Sequence, residues 1–304
     1  MKGPQAEANR LSTILNHLYG VERYPVDVEQ VARDYSKQIS PESHITSVKQ
    51  IPLDGFEGCL QRNPNTGHWR ICYNPDQASQ GRVRFTLAHE LGHFVLHRMK
   101  GEEGESEEPR TEFLCSEVDM NDWDSPLRKL EAEADTFASC LLMPLDDFRK
   151  QVAGHQSMSR ELLDHCCHRY GVSRMAAALK WIEIAPRRTV VVAVRDGHVL
   201  WARSNQRAYK SGCYLPARQR TIAVPGQSLL AEIEQTGGTH QVAAKAYWWF
   251  PKEPEDMPMT ETAICVENPT HPYILGILQM PEEEREWAQE SDEELLRPLR
   301  NLQW

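Results

Sequence analysis

Residues 85–97 read FTLAHELGHFVLH, two histidines and a glutamate set among Phe, Leu, Ala and Val. Such polar groups cost several kcal/mol to bury unless something satisfies them. On a helix, His89 and His93 lie about 40° apart on one face, so both imidazoles can reach one ion. The run fits HExxH, a spacing that unrelated chains of this size carry by chance in roughly a few per cent of cases. Its context narrows that alternative. Phe85, Ala88, Leu91 and Val95 recur with helical spacing over residues 82–97. Glu90 points beside the metal rather than at it, where a general base takes a proton from an activated water.

Zinc in a hydrolase takes three protein ligands and keeps one position for water. The third ligand is expected from another helix, and LEAEADTFASCLLMP (residues 130–144) offers Glu131 and Glu133. Glu131 shares a side with Ala134, Asp135, Ala138, Leu141 and Leu142, whereas Glu133 falls with Thr136 and Cys140. That pattern selects Glu131 as ligand and leaves Glu133 as a solvated surface carboxylate. Asp135, one turn on, is suited to accept the free N–H of a ligating histidine. Tyr73 and His97 are candidates for a second oxyanion donor. Cys115, in TEFLCSEVD between the two ligand-bearing helices, is a possible inhibitory metal ligand: its thiolate could fill the position of the water.

The elements around these residues follow from pattern. Residues 7–19 and 26–36 read as helices, and GCLQRNPNTGHWRICYN as a β-hairpin. Residues 101–125 have the acidic composition of an exposed loop. A helix over 125–143 stops at Pro144. SRELLDHCCHRY and RMAAALKWIEI, joined by Gly-Val-Ser, have the outline of a helix-turn-helix. An αα corner packed on the core fits the same residues. Four consecutive positions, His165-Cys166-Cys167-His168, cannot converge on one ion from a helix.

Taken together, FTLAHELGHFVLH, EAEADTFASCLLMP, the hairpin and PVDVEQVARDY resemble the ImmA/IrrE family of zinc metallopeptidases over roughly residues 10–185. The resemblance implies a gluzincin-like domain with His89, His93 and Glu131 on Zn2+, Glu90 as base and Asp135 completing an ExxxD arrangement. It also implies a substrate, a helix-turn-helix repressor cleaved to switch on stress, mobile-element or defence genes. Two other classes compete: a zinc-stabilised protein that sequesters a repressor without cutting it, and a direct DNA-binding regulator.

Beyond Pro186 the texture changes: TVVVAVRDGHVLWARS reads as a hairpin around Asp196-Gly197, and RTIAV, HQVAAKAYWWF, TAICVEN and PYILGILQM as further strands. The expected fold is α+β. A metallopeptidase domain occupies residues 1–155, helix-turn-helix-like helices 156–186, and an α/β regulatory domain, PAS- or GAF-like, 187–304. PEEEREWAQESDEELLRPLRNLQW reads as a charged terminal helix. No segment has the apolar length to span a bilayer, and the N-terminus lacks the features of a signal peptide. Eight cysteines without a CxxC pair read as reduced thiols, so a cytoplasmic protein is expected. The net charge of −10 argues against nonspecific coating of DNA. Expected partners are the repressor and a small-molecule or DNA signal, with no membrane.

Overall fold

The computed structural model describes residues 3–52, 55–77, 79–99, 111–116, 126–266 and 272–281. The side chains of 114–116, 126 and 234–236 lie outside that description. The chain divides into two compact units, Met1–Ile184 with Val266–Tyr273, and Ala185–Cys265 with Ile274–Trp304.

The first unit opens with α1 (Pro4–Tyr19) and α2 (Val28–Ile39), the latter capped by Asp27 accepting from the Gln30 N–H. Strands β1 (Ile45–Gln50), β2 (Phe56–Arg62) and β3 (Trp69–Tyr73) follow, then α3 (Gln80–His97), β4 (Glu112–Ser116) and α4 (Pro126–Leu142). Short α5 (Leu145–Gln151), α6 (Arg160–Tyr170) and α7 (Arg174–Ile182) complete it. The sheet order is β1-β3-β2-β4, with β1 parallel to β3 and β2 antiparallel to both neighbours.

Alternation on β2 and β3 sends Leu60, Trp69 and Ile71 into the core, where the Trp69 ring meets Phe94 of α3 edge-on. Helix α3 packs on β2 on one side and on α4 on another. Ser79 caps α3 by accepting from the Arg82 N–H. Ser173 does the same for α7 at Ala176, as its position in the Gly-Val-Ser turn leads one to expect.

In the second unit, β5 (Arg188–Arg195) and β6 (His198–Ser204) form a hairpin whose turn places Asp196 at φ 51° and Gly197 at φ 69°. Two successive positive φ values are what an Asp-Gly turn supplies. Helices α8 (Gln206–Lys210) and α9 (Leu229–Thr236) precede β7 (Thr239–Lys245), β8 (Pro258–Val266) and β9 (Tyr273–Met280). The sheet order is β6-β5-β9-β8-β7. Its core joins Val190, Val192 and Val194 to Leu230, Ile233, Trp249 and Phe250. Buried Glu261 accepts from the Ser228 hydroxyl, the Leu229 N–H and the Trp249 indole, which ties β8 to the start of α9.

Four sequence expectations change. The acidic segment 101–125 contains a strand, β4, because Glu112–Ser116 extends the sheet beside β2. Helix α4 stops before Pro144 as expected, but the residues after it, read as no element, form α5 with Pro144 at its N-cap. RTIAV forms a single bridge, Ala223 to His198, rather than a strand. HQVAAKAYWWF is a strand only to Lys245, then a 3-10 turn over Ala246–Trp248. The expected terminal helix lies outside the described residues.

Candidate metal centre

Three turns of α3 carry His89, His93 and His97 at i, i+4 and i+8, so the three rings form a ladder along one face. His89 is nearly buried, and Glu90, His93 and His97 are completely so. The Nε2 atoms of His89 and His93 face each other at 2.9 Å. Glu131 of α4 meets both, with its two oxygens 3.0 Å from His89 Nε2 and 3.2 Å from His93 Nε2. A tetrahedral ion with bonds of about 2.0–2.2 Å holds its donors roughly 3.3 Å apart. The triangle of two imidazoles and a carboxylate therefore fits a divalent cation, and these three are a group that could hold one.

Electrostatics point the same way. Burial disfavours a charged His89, yet bonds to Asp135 and Glu131 outweigh it and lift its pKa to about 10. Burial also pushes the Glu131 carboxyl up, but the two histidines override it and hold that group well below the usual carboxylate range. Burial pushes the neighbouring His93 imidazole down. The His89–Glu131 pair thus favours positive charge at His89, whereas burial disfavours it at His93.

Residues 41–181 match the family model of the IrrE N-terminal-like domain, Peptidase M78. This part of the chain is similar to that family's domain. No curated protein matches the chain by sequence. Among solved structures it is similar to a Mycobacterium tuberculosis transcriptional regulator, with a TM-score of 0.54 at 12% identity. That similarity covers 91% of this chain and 79% of the other, and at this identity it speaks for the fold alone.

Within the M78 domain, the remaining ring nitrogens also have fixed partners. His89 Nδ1 lies 2.9 Å from Asp135 Oδ1. His93 Nδ1 lies 3.0 Å from His97 Nδ1, and His97 Nε2 lies 2.9 Å from Glu133 Oε2. Phe113 of β4 stacks on the His93 ring at 4.8 Å and 20°. The Glu90 carboxylate turns toward β2, so close that a Cβ on Gly58 would sit 3.0 Å from its Oε1.

Glu133 is thus not a solvated surface carboxylate. The contact line of α4 with α3 runs through Ala134 rather than Glu131. Glu133 and Asp135 each sit about 100° from Ala134, flanking that line on opposite sides, where both can reach the histidine ladder. His97 is buried between His93 and Glu133 rather than open to a substrate, and the Tyr73 hydroxyl accepts from Gln50 at 2.7 Å. Cys115 lies on β4 opposite Gly58, not in a loop, and its side chain is outside the described residues. The signal for the Glu133–His97 contact was the third histidine, four residues beyond His93 on the same face.

Proposed function

We propose that the chain is a zinc-dependent endopeptidase that cleaves a helix-turn-helix transcriptional repressor. The observation that carries this reading is the convergence of His89, His93 and Glu131 with Glu90 held beside them on α3. Two imidazoles and a glutamate are a donor set that catalytic zinc uses, with a position left for water. Bound there, the ion supplies Lewis-acid polarisation of a peptide carbonyl and makes a water acidic enough to ionise near neutral pH. Glu90, buried beside these ligands, would be the group that takes a proton from the attacking water and passes it to the departing amine. Asp135 accepts the Nδ1–H of His89 and so keeps its Nε2 lone pair on the ligand side. Gly58 leaves the room that the Glu90 carboxylate needs beneath β2.

The repressor as substrate, and a gating role for the second unit as a PAS- or GAF-like module, extend what the M78 match implies. The five-stranded sheet, with α8 and α9 contributing to its core, supports a self-contained module. The similar solved structure is of a transcriptional regulator, which is consistent with a role in gene control. Direct DNA binding through α6 and α7 is the weaker reading. Arg169 is engaged by Asp147 and Glu22, Arg174 by Asp164, and Leu162, Cys166, Ala178 and Trp181 are buried as in an αα corner.

Incubating the zinc-loaded chain with purified helix-turn-helix repressors, beginning with one encoded beside it, tests this reading. Mass spectrometry should find two fragments from one cut, absent when a chelator is present. Intact repressor in a stable complex would support sequestration instead.

A further inference from the structure

We propose that His97 and Glu133 are positioning residues that fix the ring proton of His93 on Nδ1 and keep its Nε2 lone pair free for the metal. The inference rests on the metal-site reading above and assigns two residues which that reading leaves without a role.

Each neutral imidazole carries a single ring proton. The facing Nδ1 atoms of His93 and His97, 3.0 Å apart, form a hydrogen bond only if one of them carries the hydrogen. If His97 holds it, a neutral His93 must carry its own proton on Nε2, which blocks the metal side. If His93 holds it, Nε2 is bare and faces His89 Nε2 and Glu131. Glu133 decides between the two. An ionised carboxylate only accepts, so at 2.9 Å it draws the single proton of a neutral His97 to Nε2. His97 Nδ1 is then an acceptor, and the proton it accepts is that of His93. The chain of donors therefore runs in one direction, from His93 to His97 to Glu133.

His89 achieves the same result with one bond fewer, donating Nδ1–H straight to Asp135. Both ligating histidines thus end on a carboxylate of α4, one directly and one through a relay. Burial makes the relay strict. His93 and His97 are fully enclosed, so water does not offer either ring an alternative partner at low cost. The stack of Phe113 on His93 holds the ring plane but is indifferent to the tautomer.

The test uses the full-length chain with 15N-labelled histidine, loaded with Zn2+, and long-range proton–nitrogen correlation to read each ring. The expected result is His93 protonated on Nδ1 and His97 on Nε2 alone. A His97 proton on Nδ1, alone or in addition, would overturn the proposal. In parallel, Zn2+ affinity is measured by chelator competition for wild type, Glu133→Ala, Glu133→Gln and His89→Ala. Loss of an outer partner of a metal-bound histidine lowers affinity about 10–100-fold. Glu133→Ala should fall in that range, and Glu133→Gln should recover part of the loss because its amide oxygen still accepts. Wild-type affinity in Glu133→Ala, with loss in His89→Ala, would overturn the relay and leave the metal site standing. Equal binding by wild type and His89→Ala would overturn both.

Discussion

Gly92 faces Ala134 across the α3–α4 crossing, where a methyl group on Gly92 would lie 3.2 Å from the Ala134 Cα and 3.1 Å from the Phe137 ring. The helices meet at that point, and Glu131 reaches the histidines only because they do. Gly92→Ala must push α4 outward or strain Phe137, at a cost of about 1–3 kcal/mol. Both stability in urea and zinc affinity should fall together. A variant with wild-type affinity would show that the close crossing does not set the ligand geometry.

Gly58→Ala should separate binding from chemistry. Its methyl group would meet Thr86 Cγ2 at 2.4 Å and Glu90 Oε1 at 3.0 Å, while the ligating atoms of His89, His93 and Glu131 are not among its nearest neighbours. Metal content should therefore stay near wild type, and kcat should drop by about tenfold or more as Glu90 is displaced. Titration with zinc and cleavage kinetics on the same sample give both numbers.

Acid stability should depend on Asp147. Burial opposes its ionisation, but bonds from Arg169 at 2.8 and 3.0 Å and from the Tyr170 hydroxyl at 2.7 Å outweigh it and hold its carboxyl below the usual range. The unfolded chain then binds the proton at higher pH than the folded one. The stabilisation is complete above the unfolded value near 3.9 and is lost as pH falls through the lower folded value. Asp147→Asn should cost roughly 1–3 kcal/mol at neutral pH and flatten the acid limb of a stability-against-pH curve. A limb as steep as wild type would assign the acid sensitivity elsewhere.

Metal removal should destabilise the M78 domain. A ligand present at 100 times its Kd adds about 2.7 kcal/mol to the folded state. Differential scanning calorimetry with and without a chelator should show a lower melting transition in the chelated sample, restored by added zinc. An unchanged transition would mean that the cation contributes nothing to the folded state.

The helices and the main hairpins were legible in the sequence because their signals are local. HExxH lies on a periodic apolar run, Ser173 sits at a cap, and Asp196-Gly197 marks its own turn. Strand β4 was hidden because Glu112–Ser116 pairs with Phe56–Gln61, residues distant in the chain and set in an acidic context that reads as loop. Glu131 meets His89 and His93 of α3, and Glu133, expected to face solvent, meets His97. Residue periodicity orders positions around a helix but does not say where the neighbouring helix touches, and here the contact falls on Ala134. The histidine relay needed that crossing to become visible.

The central claim is hydrolysis driven by Glu90, and the Glu90→Gln variant tests it most directly. Glu90 is fully buried next to the ligands, and glutamine matches its shape while losing its ability to take a proton. Zinc content by elemental analysis and repressor cleavage by mass spectrometry should be measured on one preparation. The account predicts one zinc per chain as in wild type, with cleavage lowered by about 100-fold or more. Full zinc content with wild-type cleavage would contradict it.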